Sequence, residues 1–305
     1  MGLLFLFLDG VGIGEEDPER NPLVAAPMPT LREVLGGRVP TRRSPHIRTD
    51  IAVARPTDAR LGIPGLPQSA TGQATILTGR NVPALLGEHY GPRPDARIRP
   101  LLERDTLFHA CVRAGRSVAF ANAYPRRYFD AVNRGQRIPG VMAYAARAAG
   151  IPLRTGEDLA AGRAISVDFT NEGWRDIPGY EHMPLRTPEE SGRVVAHLLR
   201  EHDLVFVEEW ATDLVGHRQD REMALRLLHA LDRFLRGVLE HLDWQRDLVL
   251  ITSDHGNMED LTSRRHTLNP VPTIVIGRRG LPPPPGGLDG LRGWVEAVLG
   301  GETGV

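Results

Sequence analysis

Three aspartates and three histidines stand in four short segments of this 305-residue chain: Leu8-Asp9-Gly10, Asp213-Leu-Val-Gly-His217, Asp254-His255-Gly256-Asn257 and His266-Thr267-Leu268-Asn269-Pro270. Imidazole nitrogen mixed with carboxylate oxygen suits Zn2+ or Mn2+, whereas an all-oxygen shell would suit Mg2+ or Ca2+. Two such ions side by side polarise a phosphate, activate a nucleophile and stabilise a leaving oxygen. Any one aspartate after a strand is ordinarily a cap or turn former, so the weight falls on their joint occurrence. Asp254-His255 is the most informative pair, because adjacent polar ligands rarely close a buried apolar strand. A fifth segment, Pro67-Gln68-Ser69-Ala70-Thr71-Gly72 through Thr78-Gly79-Arg80, reads as a loop entering a helix. There Ser69 presents a hydroxyl for nucleophilic work if a base or metal activates it, and the helix N-terminus favours an anion. The competing role for Ser69 or Thr71 is simply to cap that helix.

The elements that must position these residues alternate in type. Apolar runs Leu3 to Leu8, Ser117 to Ala121, Leu204 to Val207, Leu248 to Thr252 and Thr273 to Ile276 read as strands between helical patterns, which predicts an α/β fold with a mostly parallel sheet covered by helices. In such sheets ligands bind outside the carboxyl ends of the strands, where the four segments would converge. Thr187-Pro188-Glu189-Glu190 is a capping-box start for a helix with Val194, Val195, Leu198 and Leu199 on one face. Further helices are expected at Thr106 to Arg113, Met142 to Ala149, Glu222 to Leu242 and Leu288 to Leu299, with Pro282 to Pro285 as a stiff exposed connection. The stretch from about 124 to 186, rich in Gly, Arg and Pro, breaks the rhythm. It divides the chain into a core of 1–123 and 187–305 and a small insertion, 124–186, over the active site.

Composition excludes several classes. A formal net charge of -1 and a pI near 6.8 provide no basic field for nucleic acid or anionic lipid. All 37 basic residues are Arg. The single Cys111 rules out a disulfide within the chain and reads as a small buried apolar side chain. The Leu3–Leu8 run lacks a basic n-region and is too short for a signal peptide or a membrane span, so a cytoplasmic location is expected. Arg80, Arg126, Arg127 and Arg175 carry forks that fit phosphate, but each reads equally as a solvated surface arginine.

Taken in order, Asp9, the Ser69 segment, Asp213-x-x-x-His217, Asp254-His255-Gly256-Asn257 and His266-Thr267-Leu268-Asn269-Pro270-Val271-Pro272 resemble cofactor-independent phosphoglycerate mutase and phosphopentomutase, metalloenzymes of the alkaline phosphatase superfamily. The His266 and Asp254 segments look most like the phosphoglycerate mutase, Ser69-x-Thr71-Gly72 is similar to the phosphopentomutase loop, and the run from Ser69 to Thr78-Gly79 resembles the nucleophile helix of nucleotide pyrophosphatases. The resemblance covers about 1–123 and 187–305. It implies a three-layer alkaline-phosphatase-like core with a small inserted cap, and two divalent ions, Mn2+ or Zn2+. One ion would be held by Asp9, Ser69, Asp254 and His255 and the other by Asp213, His217 and His266, with Ser69 carrying a transient phosphoryl group. The expected function is phosphoryl transfer, as a phosphatase or phosphomutase, on a small phosphorylated molecule. A phosphodiesterase or nucleotide pyrophosphatase, or a non-catalytic metal-binding relative, is the alternative. Two departures stand out: the insertion is much shorter than the substrate-gripping domain of the phosphoglycerate mutase, and the active-site lysine of that family has no counterpart here. A mutase must keep water from its intermediate, which favours a closing lid, so a short insertion leans toward hydrolysis while the motifs lean toward the mutases.

A dinucleotide-binding oxidoreductase is the rival that Gly10-x-Gly12-x-Gly14 suggests. The fingerprint needs its third glycine at position 15, which is Glu15, and Asp9 would face the pyrophosphate.

Overall fold

The computed structural model describes residues 1–277 and 283–301. Its strands are β1 (Gly2–Leu8), β2 (Ile47–Arg48), β3 (Ala52–Thr57), β4 (Val118–Phe120), β5 (Ala123–Tyr124), β6 (Arg154–Thr155), β7 (Leu204–Glu209), β8 (Asp247–Ser253) and β9 (Val271–Ile276). Among the described residues the central sheet has seven of them, in the order β2-β3-β9-β8-β1-β7-β4. β1 pairs in parallel with β7 and β8, and β4 with β7, while β9 runs against both β8 and β3. This is the expected α/β sheet, mostly parallel, between two helical layers.

The strand β1 lies inside the sheet, between β8 and β7, and its apolar run follows from that place. Leu3, Phe5 and Phe7 enter one core and Leu4, Leu6 and Leu8 the other, so both faces are dry and no polar alternation is possible. The first core is closed by helices Ser69–Thr78, Leu107–Arg113, Val141–Ala148 and Leu291–Gly300, the second by Pro188–Glu201 and Arg221–Leu239. The capping box at Thr187 forms as read: its hydroxyl accepts from the Glu190 backbone N–H while Glu190 accepts from that of Thr187. Residues Leu159, Ala164, Trp174 and Met183 make a third, small cluster of their own beside the two-stranded β5–β6 pair.

Register explains why distant residues meet. Leu8 of β1 lies opposite both Glu209 of β7 and Ser253 of β8, so the three strands end level. Asp9, Asp213 and Asp254 follow at that edge. Because β9 is antiparallel to β8, it begins where the others end, and the His266 loop before it is delivered to the same place. The strand β3 also ends there, Thr57 opposite Val271, and sends the chain toward Ser69.

Two expectations are corrected. Pro284 is buried, its carbonyl accepting from Arg55, so the connection is not an exposed spacer; Pro282 lies outside the described residues. The strand β3 went unread, because Pro56 inside it reads as a breaker. Pro56 faces Pro272 of β9.

Candidate metal centre

Each chemical side chain is held at a strand end. Gly10 has φ +68°, and a Cβ there would lie 2.6 Å from Asp213 Oδ1; glycine is thus what lets the chain turn away after Asp9 against the helix Ala211–Arg218. On that helix Asp213 sits in the first turn and His217 one turn later, on the same face. Asn257 fixes Asp213 from behind, donating from Nδ2 to its Oδ1 at 2.7 Å. Gln73 spans the other two carboxylates, donating to Asp254 Oδ2 at 3.0 Å and Asp9 Oδ2 at 3.3 Å.

Two groups of potential ligand atoms result, each within 4.8 Å: Asp213, His217 and His266 in one, Asp9, Asp213 and His255 in the other. Asp213 belongs to both. Asp254 adjoins the second group, its Oδ2 3.6 Å from His255 Nε2. The Ser69 hydroxyl lies 2.9 Å from the same Nε2. Ser69 is the first residue of its helix, after Gln68 at the cap position, and its side chain does not cap. The structure therefore brings all seven residues singled out in the sequence to one edge of the sheet.

The imidazoles disclose what the site is built for. His217 donates from Nδ1 to the Arg264 carbonyl and His266 from Nδ1 to the Pro67 carbonyl, both at 2.7 Å. In the neutral rings this leaves two Nε2 lone pairs facing each other at 3.2 Å, with Asp213 Oδ2 3.2 Å from one of them. Lone pairs and a carboxylate in that arrangement repel one another unless a cation sits among them. A carbonyl accepting from the remote ring nitrogen is also how ligating histidines are usually oriented. Asp9 Oδ1, buried, makes no well-formed hydrogen bond among the described residues and has only His255 Nε2 facing it, at 3.3 Å. The donor set and the orphaned atoms thus fit divalent cations.

Charge tells the same story. Burial, then the neighbouring Asp254, pushes the Asp9 carboxyl well above its ordinary range, and burial raises Asp254. Burial alone would discharge His255, but Asp254, Asp9 and Asp213 outweigh it and lift that imidazole to about 10. His266 goes the other way, lowered to about 4 by burial and by the facing His255. Three carboxylates in a dry pocket hold a surplus of negative charge that a proton on His255 only partly answers.

Sequence reasoning passed over Gln73 and Asn257, although both lay inside quoted motifs. It also passed over Glu208, which lines the cavity of about 400 Å3 that contains Asp9, Ser69 and Asp213. Burial raises Glu208 to about 7, a shift that the Tyr124 hydroxyl offsets in part. The folded protein therefore binds this proton more tightly than the unfolded chain, so the contribution to stability is complete below about pH 4.5 and is lost as pH rises toward about 7. In metal-free protein, Glu208→Gln is expected to flatten stability across this window and to raise it near pH 8, by about 3 kcal/mol at most. Urea unfolding as a function of pH reads this directly; parallel curves for the two proteins would contradict it.

A model of the Metalloenzyme superfamily matches residues 159–287. The 2,3-bisphosphoglycerate-independent phosphoglycerate mutases of Roseobacter denitrificans and Dinoroseobacter shibae are 32% and 36% identical over 110 and 109 residues. Each match spans 33% of this chain and only 22% of the mutase. In three dimensions the alkaline phosphatase of the Antarctic bacterium TAB5 superposes over 98% of this chain and 97% of its own, with a TM-score of 0.55 at 10% identity. The sequence of this chain over residues 159–287 is thus similar to the Metalloenzyme superfamily, and its fold is that of an alkaline phosphatase. The lipoteichoic acid synthase LtaP of Listeria monocytogenes has a similar fold, with a TM-score of 0.54 at 9% identity over 98% of this chain and 72% of that one. Among the described residues no helix is long and apolar enough to cross a membrane.

Within this fold Gly72 has a definite task. A Cβ on it would lie 3.0 Å from both the Cβ and the carbonyl oxygen of Asp254. Gly72→Ala would gain at most about 1 kcal/mol of helix propensity but overpack against backbone that cannot yield, a cost of about 1–3 kcal/mol. A net loss of stability is expected, together with weaker metal binding as Asp254 is displaced. Thermal melting with and without added Zn2+ tests both, and a more stable variant would refute the close-packing argument.

Proposed function

We propose that this protein is a two-metal phosphoryl-transfer enzyme, a phosphatase or phosphomutase, that acts on a small phosphorylated substrate through a phosphoserine at Ser69. The observation that carries the reading is the Ser69 hydroxyl, uncommitted to capping, at the first position of a helix and 2.9 Å from His255 Nε2. Asp9, Asp213, Asp254, His217, His255 and His266 are the proposed ligands, with Asp213 between the two sites. When bound, Zn2+ or Mn2+ at these sites supplies Lewis acidity that favours the Ser69 alkoxide and neutralises charge on the phosphoryl group.

The chain's own residues do the rest. Ser69 Oγ forms a bond to phosphorus as the bond to the leaving oxygen breaks in line, and water or a second hydroxyl then takes the phosphoryl group from the serine. The start of the Ser69–Thr78 helix directs its dipole at the anion. Gln73 and Asn257 hold the carboxylates in place without a charge of their own. Residues 124–186 are the proposed cap, since Tyr124, Tyr128 and Arg137 of that segment line the cavity that holds Ser69. A screen with Zn2+ or Mn2+ over sugar phosphates, nucleotides and diesters, read both as phosphate release and as phosphoryl transfer to a second hydroxyl, tests the reading; neither from any of them would overturn it. The motif similarity to the mutases and the phosphoglycerate mutase activity of the matching relatives favour a monoester substrate over a diester.

A further inference from the structure

Next to the metal centre lies a second cavity of about 610 Å3, a size within the about 300–1,000 Å3 range of small-molecule sites. It shares Tyr124, Tyr128, Arg137 and Trp210 with the cavity that contains Ser69, so the two form one cleft. Its walls are aromatic to an unusual degree for a chain with 6% aromatic residues. Trp174 lines it, Tyr124 and Tyr128 stack with ring centroids 4.3 Å apart, and Trp210, just before the helix that carries Asp213, lines both cavities.

Trp210 is 45% exposed, and Leu214, one turn along and lining the Ser69 cavity, is 40% exposed. Large apolar side chains left open beside a catalytic centre are surface awaiting a ligand. The polar groups are equally uncommitted. The Tyr128 hydroxyl is buried without a hydrogen-bond partner, and such a group loses free energy until something pairs with it. The Arg137 guanidinium lies 5.0 Å over the Tyr128 ring and has no carboxylate partner among the described residues. Among the described residues lining this second cavity the carboxylate is Asp168, and it is taken up by the Ser166 hydroxyl and the backbone N–H groups of Thr170, Asn171 and Gly173. In this half of the cleft no uncommitted carboxylate therefore faces a cationic headgroup.

We propose that this cleft receives a planar aromatic ring carried by the alcohol part of the phosphate ester, with Trp210 and the tyrosines as stacking surfaces, Tyr128 hydrogen-bonding a ring substituent, and Arg137 facing its electron-rich edge. The proposal deepens the phosphoryl-transfer reading and rests on it for the position of the phosphate. A nucleotide and a simple aryl phosphate share this chemistry.

The test uses the Zn2+-loaded protein and ring compounds without phosphate, adenosine and 2-naphthol, followed by calorimetry and by quenching of tryptophan fluorescence. Binding of at least one at millimolar concentration is expected, with adenosine alone pointing to nucleotides and naphthol alone to aryl esters. In calorimetry Trp210→Ala should weaken that binding about tenfold, the scale of one lost stacking contact, and Tyr128→Phe should weaken adenosine severalfold. AMP or phenyl phosphate should exceed glycerol 3-phosphate in kcat/KM by about tenfold or more, a ratio that falls in Trp210→Ala. Binding of neither ring compound overturns the cleft assignment even where glycerol 3-phosphate is cleaved. Ring binding with neither phosphate release nor phosphoryl transfer from any ester overturns the phosphoryl-transfer reading and leaves the cleft standing.

Discussion

Ser69→Ala should abolish the covalent intermediate and cut turnover by about 10³-fold or more, the scale seen when a nucleophile is removed from a unit that acts together. The substitution deletes one oxygen from a buried position at a helix start and leaves the six Asp and His side chains in place. Metal content should therefore stay near that of the parent protein, and the melting temperature should shift little. Acid-quenched protein incubated with radiolabelled phosphate ester should carry label on serine in the parent and none in the variant. Undiminished turnover in Ser69→Ala would remove the nucleophile from the proposal. A labelled serine elsewhere would relocate it. Because the hydroxyl makes no capping bond, a loss of activity here has no simple structural explanation through a frayed helix.

How far the molecule could be read in advance depended on which forces act locally. The strand β1 was legible because a strand dry on both faces must be an unbroken apolar run, and helix Arg221–Leu239 because one face is dry and the other wet. The helix Ser69–Thr78 is buried along its whole length, so it has no apolar stripe, and only its motif and the loop before it betrayed it. The pairs β2, β5 and β6 are two residues long, held by their neighbours rather than by propensity. The site was legible as a set of residue types but not as an arrangement: that Asp213 belongs to both groups of ligand atoms follows from the level ends of β1, β7 and β8, a tertiary fact. The aromatic cleft was wholly hidden. Its walls come from Tyr124, Tyr128, Trp174 and Trp210, spread over more than one element with no spacing that links them. Of the arginines weighed in the sequence, Arg127 lines that cleft while Arg175 is spent on the Met183 carbonyl; Arg93 and Arg137, which no motif marked, line the Ser69 cavity instead.

The position of Asp213 makes it the residue whose loss should do the most damage to metal binding. Its Oδ2 lies 3.2 Å from His217 Nε2 and its Oδ1 3.6 Å from His266 Nε2, and it also belongs to the group with Asp9 and His255. Asp213→Ala should accordingly lower metal content from about two ions to less than one and extinguish phosphate release, because each site loses a charged ligand at once. His217→Ala touches one group only and should keep about one ion, in the set formed by Asp9, Asp254 and His255. Metal analysis after dialysis against a weak chelator separates the two outcomes. The metal-dependent rise in melting temperature should follow the same order, largest in the parent, smaller in His217→Ala and absent in Asp213→Ala, since a cation that binds only the folded state stabilises it by mass action. Equal metal content in the two variants would mean that the two groups of ligand atoms are not two independent sites sharing one carboxylate, and the number of ions would have to be reconsidered along with the role of Asp254.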